Sequence, residues 1–412
     1  MAATIDSIEV KGIKVPFIYE KETRLPLTTT QIIFTNSGSI TNTEIAGLAS
    51  FSAKVLNEGT KTLGSSGFAE ALESKAISIS AHAGTETFVL ELSSLSSEYK
   101  NGMNYLEELI KDPNYSKESL SKIKTMTLGG LSRKENDFDY IASNELKKIM
   151  FEEGVLGKPS SGTVQSIESM QLSDVKSFIK KNLVISKAIV VVGGDIDVEE
   201  VKKRVAQLLE NLAKGKKEQV THFDVRAKPT TNILKKETEQ AYVYFASPYN
   251  VKVDDADYYK ARVATFILGT GGFGSRLMEE IRVKRGLAYS AYARAHVSKS
   301  SNYLSGYLQT KLDSMDEAKK TVKEVIAAFV KDGVTEEELE QTKKFLLGSE
   351  PLRVETMSQR LNRTFMEYYK GFELGHSQKE LEQISNLKLK DLNKFIKSHK
   401  EILDISFAIV TK

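Results

Sequence analysis

Apolar residues along this chain follow two alternating periods, and the changes of period mark out its elements. Ile8 to Tyr19 alternates around Lys11-Gly12 as a hairpin does, and Thr28 to Thr35 forms a second strand pattern rich in Thr and Ile. Asn42-Thr43-Glu44 then opens a helical stretch to about Asn57, with Ile45, Leu48, Ala49, Phe51, Ala53, Val55 and Leu56 apolar and Gly59 ending it. A short helix at 68–74 leads to strands at Ile77 to Ser80 and Phe88 to Leu92. Helical periodicity returns at about 97–110, 117–127, 137–152 and 166–182. Ala188 to Asp195 is an apolar strand, and a helix runs from Val198 to Leu212.

Residues 213–230 break the pattern. They carry charge, Gly215 and Pro229 without apolar period, and read as a linker. Beyond them the order starts again: a strand at 240–245, a helix at 254–268, a glycine-containing turn and a short helix at 275–284. Strands at 289–297 and 302–310, a helix at 313–331 and a further helix opened by Thr335 follow. The first half runs in the same order, with residues 68–81 answering 275–289 and Tyr115 to Leu120 answering Val334 to Leu339. The expected fold class is α+β: two similar domains, 1–212 and 231–412, each a mostly antiparallel sheet backed by helices.

The densest glycine run lies in the second half. Gly269, Gly271 and Gly274 satisfy G-x-G-x-x-G, which invites a dinucleotide reading. That fingerprint needs a strand before its first glycine. Here Tyr258, Ala261, Val263, Ala264, Phe266, Ile267 and Leu268 recur at helical steps, so a helix enters the turn and the dinucleotide reading fails. The glycines serve either a sharp structural turn or a loop beside a site.

Composition narrows the function classes. The 412 residues carry 58 Lys and Arg against 55 Asp and Glu, and the resulting +3 leaves no footprint for nucleic acid. No cysteine is present, which excludes disulfides, thiol catalysis and thiolate metal sites. No apolar run is long enough to span a bilayer. The first residues show no basic region followed by an apolar core, so the expected location is the cytoplasm, or the periplasm if a leader has been removed. The five histidines (His82, His222, His296, His376 and His399) are scattered, with none three or four residues from another. Surface or strand positions suit them better than metal ligation. No nucleophile elbow or Ser-His-Asp order supports a self-contained hydrolase.

The element order, with Gly271-Gly272-Phe273-Gly274-Ser275-Arg276-Leu277-Met278-Glu279-Glu280-Ile281-Arg282-Val283-Lys284-Arg285-Gly286-Leu287-Ala288-Tyr289, resembles the insulinase/pitrilysin superfamily of zinc peptidases. It is most similar to the short-chain class that includes the mitochondrial processing peptidase subunits. The resemblance covers nearly the whole chain and implies two similar α+β domains, with pairs of such chains enclosing a chamber for unfolded peptides. The family's first-half helix carries His-x-x-Glu-His, two ligands for one zinc and a base for its water. This chain keeps the frame at Gly47 to Thr60 but holds Ser50 and Lys54 at the ligand positions and Ala53 at the base position. Gly130 stands where the resemblance places the third ligand. A serine is a poor ligand, an ammonium repels the cation, and alanine and glycine offer no donor. The expectation is therefore no metal and no cofactor in this chain. Ser50 and Lys54 on the solvent face of an ordinary helix lead to the same expectation.

The resemblance also assigns an arginine and a tyrosine, seven residues apart, that reach the site from the domain opposite the zinc. They fall on Arg282 and Tyr289. Taken without the resemblance, Arg282 would form a surface ion pair with Glu279 and Tyr289 would pack at a strand start. With it, the two act in catalysis. The chain then reads as the zinc-free subunit of a heterodimeric metallopeptidase, inactive alone, whose homologous partner keeps His-x-x-Glu-His, supplies the zinc and shares an extended peptide substrate. The alternative is a catalytically inert structural or binding module of the same fold.

Overall fold

The computed structural model describes residues 3–152, 154–226 and 228–412. The first two residues and Ala227 of the expected linker lie outside the described residues. Two compact units are present. The first takes residues 1–132, 159–220 and 352–374; the second takes 133–158, 221–351 and 375–412. This is not the division at 213–230 expected from the sequence, because one segment of each half belongs to the other half's unit.

In the first unit, β1 (Thr4–Val10), β2 (Ile13–Lys21), β3 (Leu27–Thr35), β4 (Ser78–Ala83), β5 (Thr87–Leu95) and β6 (Ala188–Gly194) form one sheet. Its order is β1-β2-β6-β3-β5-β4, with only the β2–β6 pair parallel. The sequence of β6, Ala-Ile-Val-Val-Val-Gly-Gly, is buried at every residue. A central strand of that kind needs cover on both faces. One face, with Phe17, Ile32, Phe34, Leu90 and Val190, packs on Ala53, Met103, Leu106, Phe178 and Val205 from the first half's own helices.

The other face presents Ile18, Ile33, Val89, Ile189 and Val191. It is covered by Leu361, Phe365 and Tyr369 from the helix Met357–Lys370, which belongs to the far end of the sequence. The approach is close. A Cβ on Gly193 would come within 2.5 Å of Leu361 Cδ1. Arg360 Nε and Nη2 donate to Glu20 Oε1 at 2.9 and 2.6 Å, while its Nη1 donates to the carbonyls of Val354 and Glu355. Glu20 is 3% exposed and its Oε2 has no hydrogen-bond partner. Tyr369 donates to Glu86 Oε2 at 2.6 Å.

The second unit holds β7 (Thr231–Lys235), β8 (Gln240–Pro248), β9 (Ala288–Val297), β10 (Asn302–Lys311) and β11 (Ser406–Thr411), in the order β7-β11-β8-β10-β9. Val243, Phe245, Leu304, Leu308, Phe407 and Ile409 face the helical layer, where Ala261, Val322, Ile326, Leu339 and Leu392 meet them. Here too a helix from the other half covers part of the second face. Leu146, Ile149 and Met150 of the helix Phe138–Phe151 pack on Ala246 and Ala408. Asp139 of that helix accepts from Tyr244 at 2.9 Å and from Gln309 at 3.0 Å. Asn232 donates to Glu145 at 2.7 Å.

Several elements differ from the pattern reading. The expected helix 166–182 is two, Val164–Ser169 and Leu172–Asn182. Met170 is extended (ψ 136°), and the Asp174 carboxylate accepts the Gln171 N–H at 2.7 Å, so a new capping box restarts the helix. The expected linker is tied at both ends. Ile185 and Ser186 N–H donate to the Ala213 and Lys214 carbonyls, and Phe223 and Arg226 N–H donate to the Ser300 and Met150 carbonyls. β7, β11 and the helices after residue 351 lie where the pattern reading assigned nothing.

Two outcomes test this packing. Leu361→Ala should destabilise the protein by about 2–5 kcal/mol, read by denaturant unfolding, since it opens a cavity against the apolar cluster of Ile18, Ile33, Val89, Ile189 and Val191. His296 provides a pH test. Arg294 Nε donates to its Nε2 at 3.1 Å and Ser305 Oγ lies 2.9 Å away, with the ring stacked on Tyr303. Burial, with the Arg294 and Lys147 cations, pushes His296 down to about 4 from its ordinary 6.5. The unfolded chain then binds more protons between these values. The stability contribution is full above pH 6.5 and is lost as pH falls towards 4. His296→Phe should flatten that part of a stability–pH profile.

Candidate functional site

The site is built around the glycine-rich turn of the second unit. The helix Tyr258–Thr265 loosens into a π turn at Phe266–Thr270, the chain reverses through Gly271 to Gly274, and one α turn at Arg276–Met278 loosens again into a π turn at Glu279–Lys284. The single expected helices 254–268 and 275–284 are therefore each a short α segment with a π end, a wide-turn form frequent at functional sites. Close approach sets this shape. A Cβ on Gly269 would stand 2.3 Å from the Ala293 nitrogen and 2.5 Å from its oxygen. Gly272 and Gly286 adopt φ of +60° and +62°, which side chains disfavour.

Charged neighbours pin the short helix. Arg276 donates to both Glu338 oxygens, at 2.6 and 2.8 Å. Burial works against ionisation of Glu338, but Arg276 and the Thr335 N–H outweigh it and hold the carboxyl below its usual range. Arg285 donates to Thr321 Oγ1 at 3.1 Å and lies near Glu324.

Arg282 differs. The ion pair with Glu279 that the spacing allows is not formed, and among the described residues its guanidinium has no hydrogen-bond or acidic partner. Its Cζ lies 4.1 Å from the Tyr289 ring centroid and 4.5 Å from that of Phe273. Tyr289 is 81% exposed and Phe273 64% exposed. Tyr289 is therefore not the packing residue expected without the resemblance. The structure brings Arg282 and Tyr289 together and adds Phe273, which sequence reasoning missed. Its signal was a large apolar residue inside a turn of glycines.

In the first unit, the helix Leu48–Leu56 packs on the helix Lys117–Lys134 through Phe51, Val55 and Ile123. Ala53 is buried, and Lys54 is exposed with its Nζ donating to Thr127 Oγ1 at 3.1 Å. An ammonium thus lies against the helix that carries Gly130, one turn before it. These residues do not fit a zinc ion. Among the described residues no group of three His, Asp or Glu side chains is placed to hold a metal.

Residues 27–164 match the insulinase family, peptidase family M16, and residues 169–346 match the peptidase M16 inactive domain. The chain belongs to the M16 family. It is 43% identical over 410 residues to the "Non-peptidase homolog YmxG" of Helicobacter pylori, covering 100% of this chain and 95% of that protein. It is 24% identical to the "Uncharacterized zinc protease YmxG" of Bacillus subtilis, over 78% of this chain and 77% of that one. The crystal structure of a peptidase M16 inactive domain from Pseudomonas fluorescens superposes with a TM-score of 0.90 at 23% identity, covering 100% and 98% of the two chains. That likeness extends the M16 fold over the whole molecule. The match to the M16 inactive domain and to a non-peptidase homolog marks this M16 chain as a non-catalytic member of the family.

The glycine turn can be tested by paired substitutions. Gly269→Ala should cost about 1–3 kcal/mol in unfolding free energy, because its Cβ meets rigid backbone. Gly274→Ala, which faces open space, should stay within about 0.5 kcal/mol.

Proposed function

We propose that this chain is the zinc-free subunit of a two-chain M16 peptidase. Its partner is a homologous chain with an intact His-x-x-Glu-His that holds the zinc, and this chain presents Arg282 and Tyr289 in trans to an extended peptide. One observation carries the reading: a half-buried arginine lies against an exposed tyrosine, and among the described residues nothing in its own unit engages the arginine's donors. The chemistry asked of them is limited. The Tyr289 hydroxyl donates a hydrogen bond to the oxyanion that forms at a scissile carbonyl, and Arg282 donates to substrate carbonyls or orients the phenol.

The second reading is a catalytically inert structural or binding module. The name of the Helicobacter relative, a non-peptidase homolog, favours it.

Mixing the purified chain with a homologous chain that carries the intact motif separates the two. Under the first reading, chelator-sensitive peptidase activity arises only in the mixture. Arg282→Ala or Tyr289→Phe then lowers its turnover by about tenfold or more, since losing one oxyanion donor typically costs about 2.7–4 kcal/mol, while assembly by size-exclusion chromatography is unchanged. Unaltered turnover rejects the trans role.

A further inference from the structure

We infer that Phe273, Arg282 and Tyr289 form a carboxylate receptor that takes the C-terminal carboxylate of an extended peptide laid along β9. The inference uses the residues of the proposed trans site but requires neither a zinc-bearing partner nor catalysis.

Three observations lead to it. The first is how the guanidinium is held. Arg276, Arg285 and Arg262 of the same unit each reach a carboxylate or hydroxyl, at 2.6–3.5 Å. Arg282 instead lies over two ring faces, at 4.1 and 4.5 Å. Ring faces attract the cation without accepting its N–H bonds in the guanidinium plane. The contacts therefore position the fork and leave its donors for an acceptor of matching planar geometry. A carboxylate takes two parallel N–H bonds from such a fork.

The second is access. Tyr289 and Phe273 are both mostly exposed, so an incoming group reaches the arginine between partly solvated rings and not through a closed pocket. Phe273 rises from the Gly272–Gly274 turn, with no contact within 4 Å at the Cβ positions of Gly272 and Gly274. The turn thus leaves room beside the ring.

The third is direction. β9 is an outer strand of its sheet and pairs with β10 on one side only. Tyr289 is its second residue, and Arg282 lies just before it. An extended peptide that adds to β9 in the antiparallel sense runs from the Val297 end towards Ala288, so its last residue arrives beside Arg282. A parallel peptide would bring its terminal ammonium to the same cation. Charge therefore selects the antiparallel arrangement, and within it a free C-terminus.

The test uses the full chain alone. An acetyl-capped octapeptide of serine, threonine and valine with a free C-terminal carboxylate is titrated by fluorescence anisotropy or calorimetry. Its C-terminal amide, and an amide carrying glutamate at the fourth position, are titrated in parallel. The acid should bind at least about tenfold more tightly than either amide, the range of a charge-assisted hydrogen-bonded pair. Arg282→Ala should remove the difference, and Arg282→Lys, which keeps the charge without the fork, should retain only part of it. Phe273→Ala should weaken the acid and leave the amides unchanged.

Equal binding of acid and plain amide overturns the receptor, as does absence of binding by the acid at millimolar concentration. Equal binding of the acid and the glutamate-bearing amide overturns the C-terminal assignment. The trans-catalytic reading fails separately, through the turnover of the mixture, so the two are told apart.

Discussion

A sheet that is apolar on both faces has to be covered twice, and in this chain part of that cover comes from the opposite half of the sequence. Ile18, Ile33, Val89, Ile189 and Val191 meet water unless the helix Met357–Lys370 lies over them. Burial of such side chains contributes about 1.5–3 kcal/mol each, so the apolar contact dominates the attachment. The Arg360–Glu20 pair acts differently. A buried carboxylate costs several kcal/mol in desolvation, and the pair offsets this only through its hydrogen bonds. With Arg360 also bound to the Val354 and Glu355 carbonyls, it ties the first turn of the helix, whose start is capped by Thr356 and Gln359, to Glu20 of β2.

The glycine-rich turn shows the opposite economy. Around it, cations are paired with acids: Arg276 with Glu338, Lys284 with Glu280, and Arg285 with Glu324, while Arg285 also donates to the Thr321 hydroxyl. These contacts stiffen the frame that carries Arg282, whose own charge is left for use. The helix Leu48–Leu56 of the first unit differs in a complementary way. It keeps the helix-on-helix packing through Phe51, Val55 and Ile123 but replaces its chemistry with Lys54 bonded to Thr127. Fold and reactivity have been separated there, since the packing faces of a helix are set by residues other than those that would bind metal.

Much of the fold was legible in the sequence because its elements are strongly periodic. The β3, β5, β9 and β10 strands and the long helix Met315–Asp332 all follow apolar patterns that are plain in the sequence. The ownership of the helices was not legible. The apolar stripe of Leu361, Phe365 and Tyr369 predicts a buried face without saying which sheet buries it. The break at Met170 was hidden as well, since its apolar side chain continues the helical period while Asp174 caps a new start. At the candidate site, the pairing of Arg282 with Tyr289 followed from the seven-residue spacing together with the family resemblance. Phe273 did not, because a ring within a turn of glycines has no period to place it. The π turns were also invisible, as apolar spacing does not separate a wide turn from an α turn; the first of them brings Gly269 close against the Ala293 backbone.

The exchange of helices between halves also bears on how the chain is made. Domains made on the ribosome generally fold as units, N-terminal first. Here the first unit cannot close when residue 220 has emerged, because its last helix ends at Lys370. For the time taken to synthesise the intervening segment, an apolar sheet face has no cover. The first unit's sheet is thus complete only when the chain has been made to Lys370.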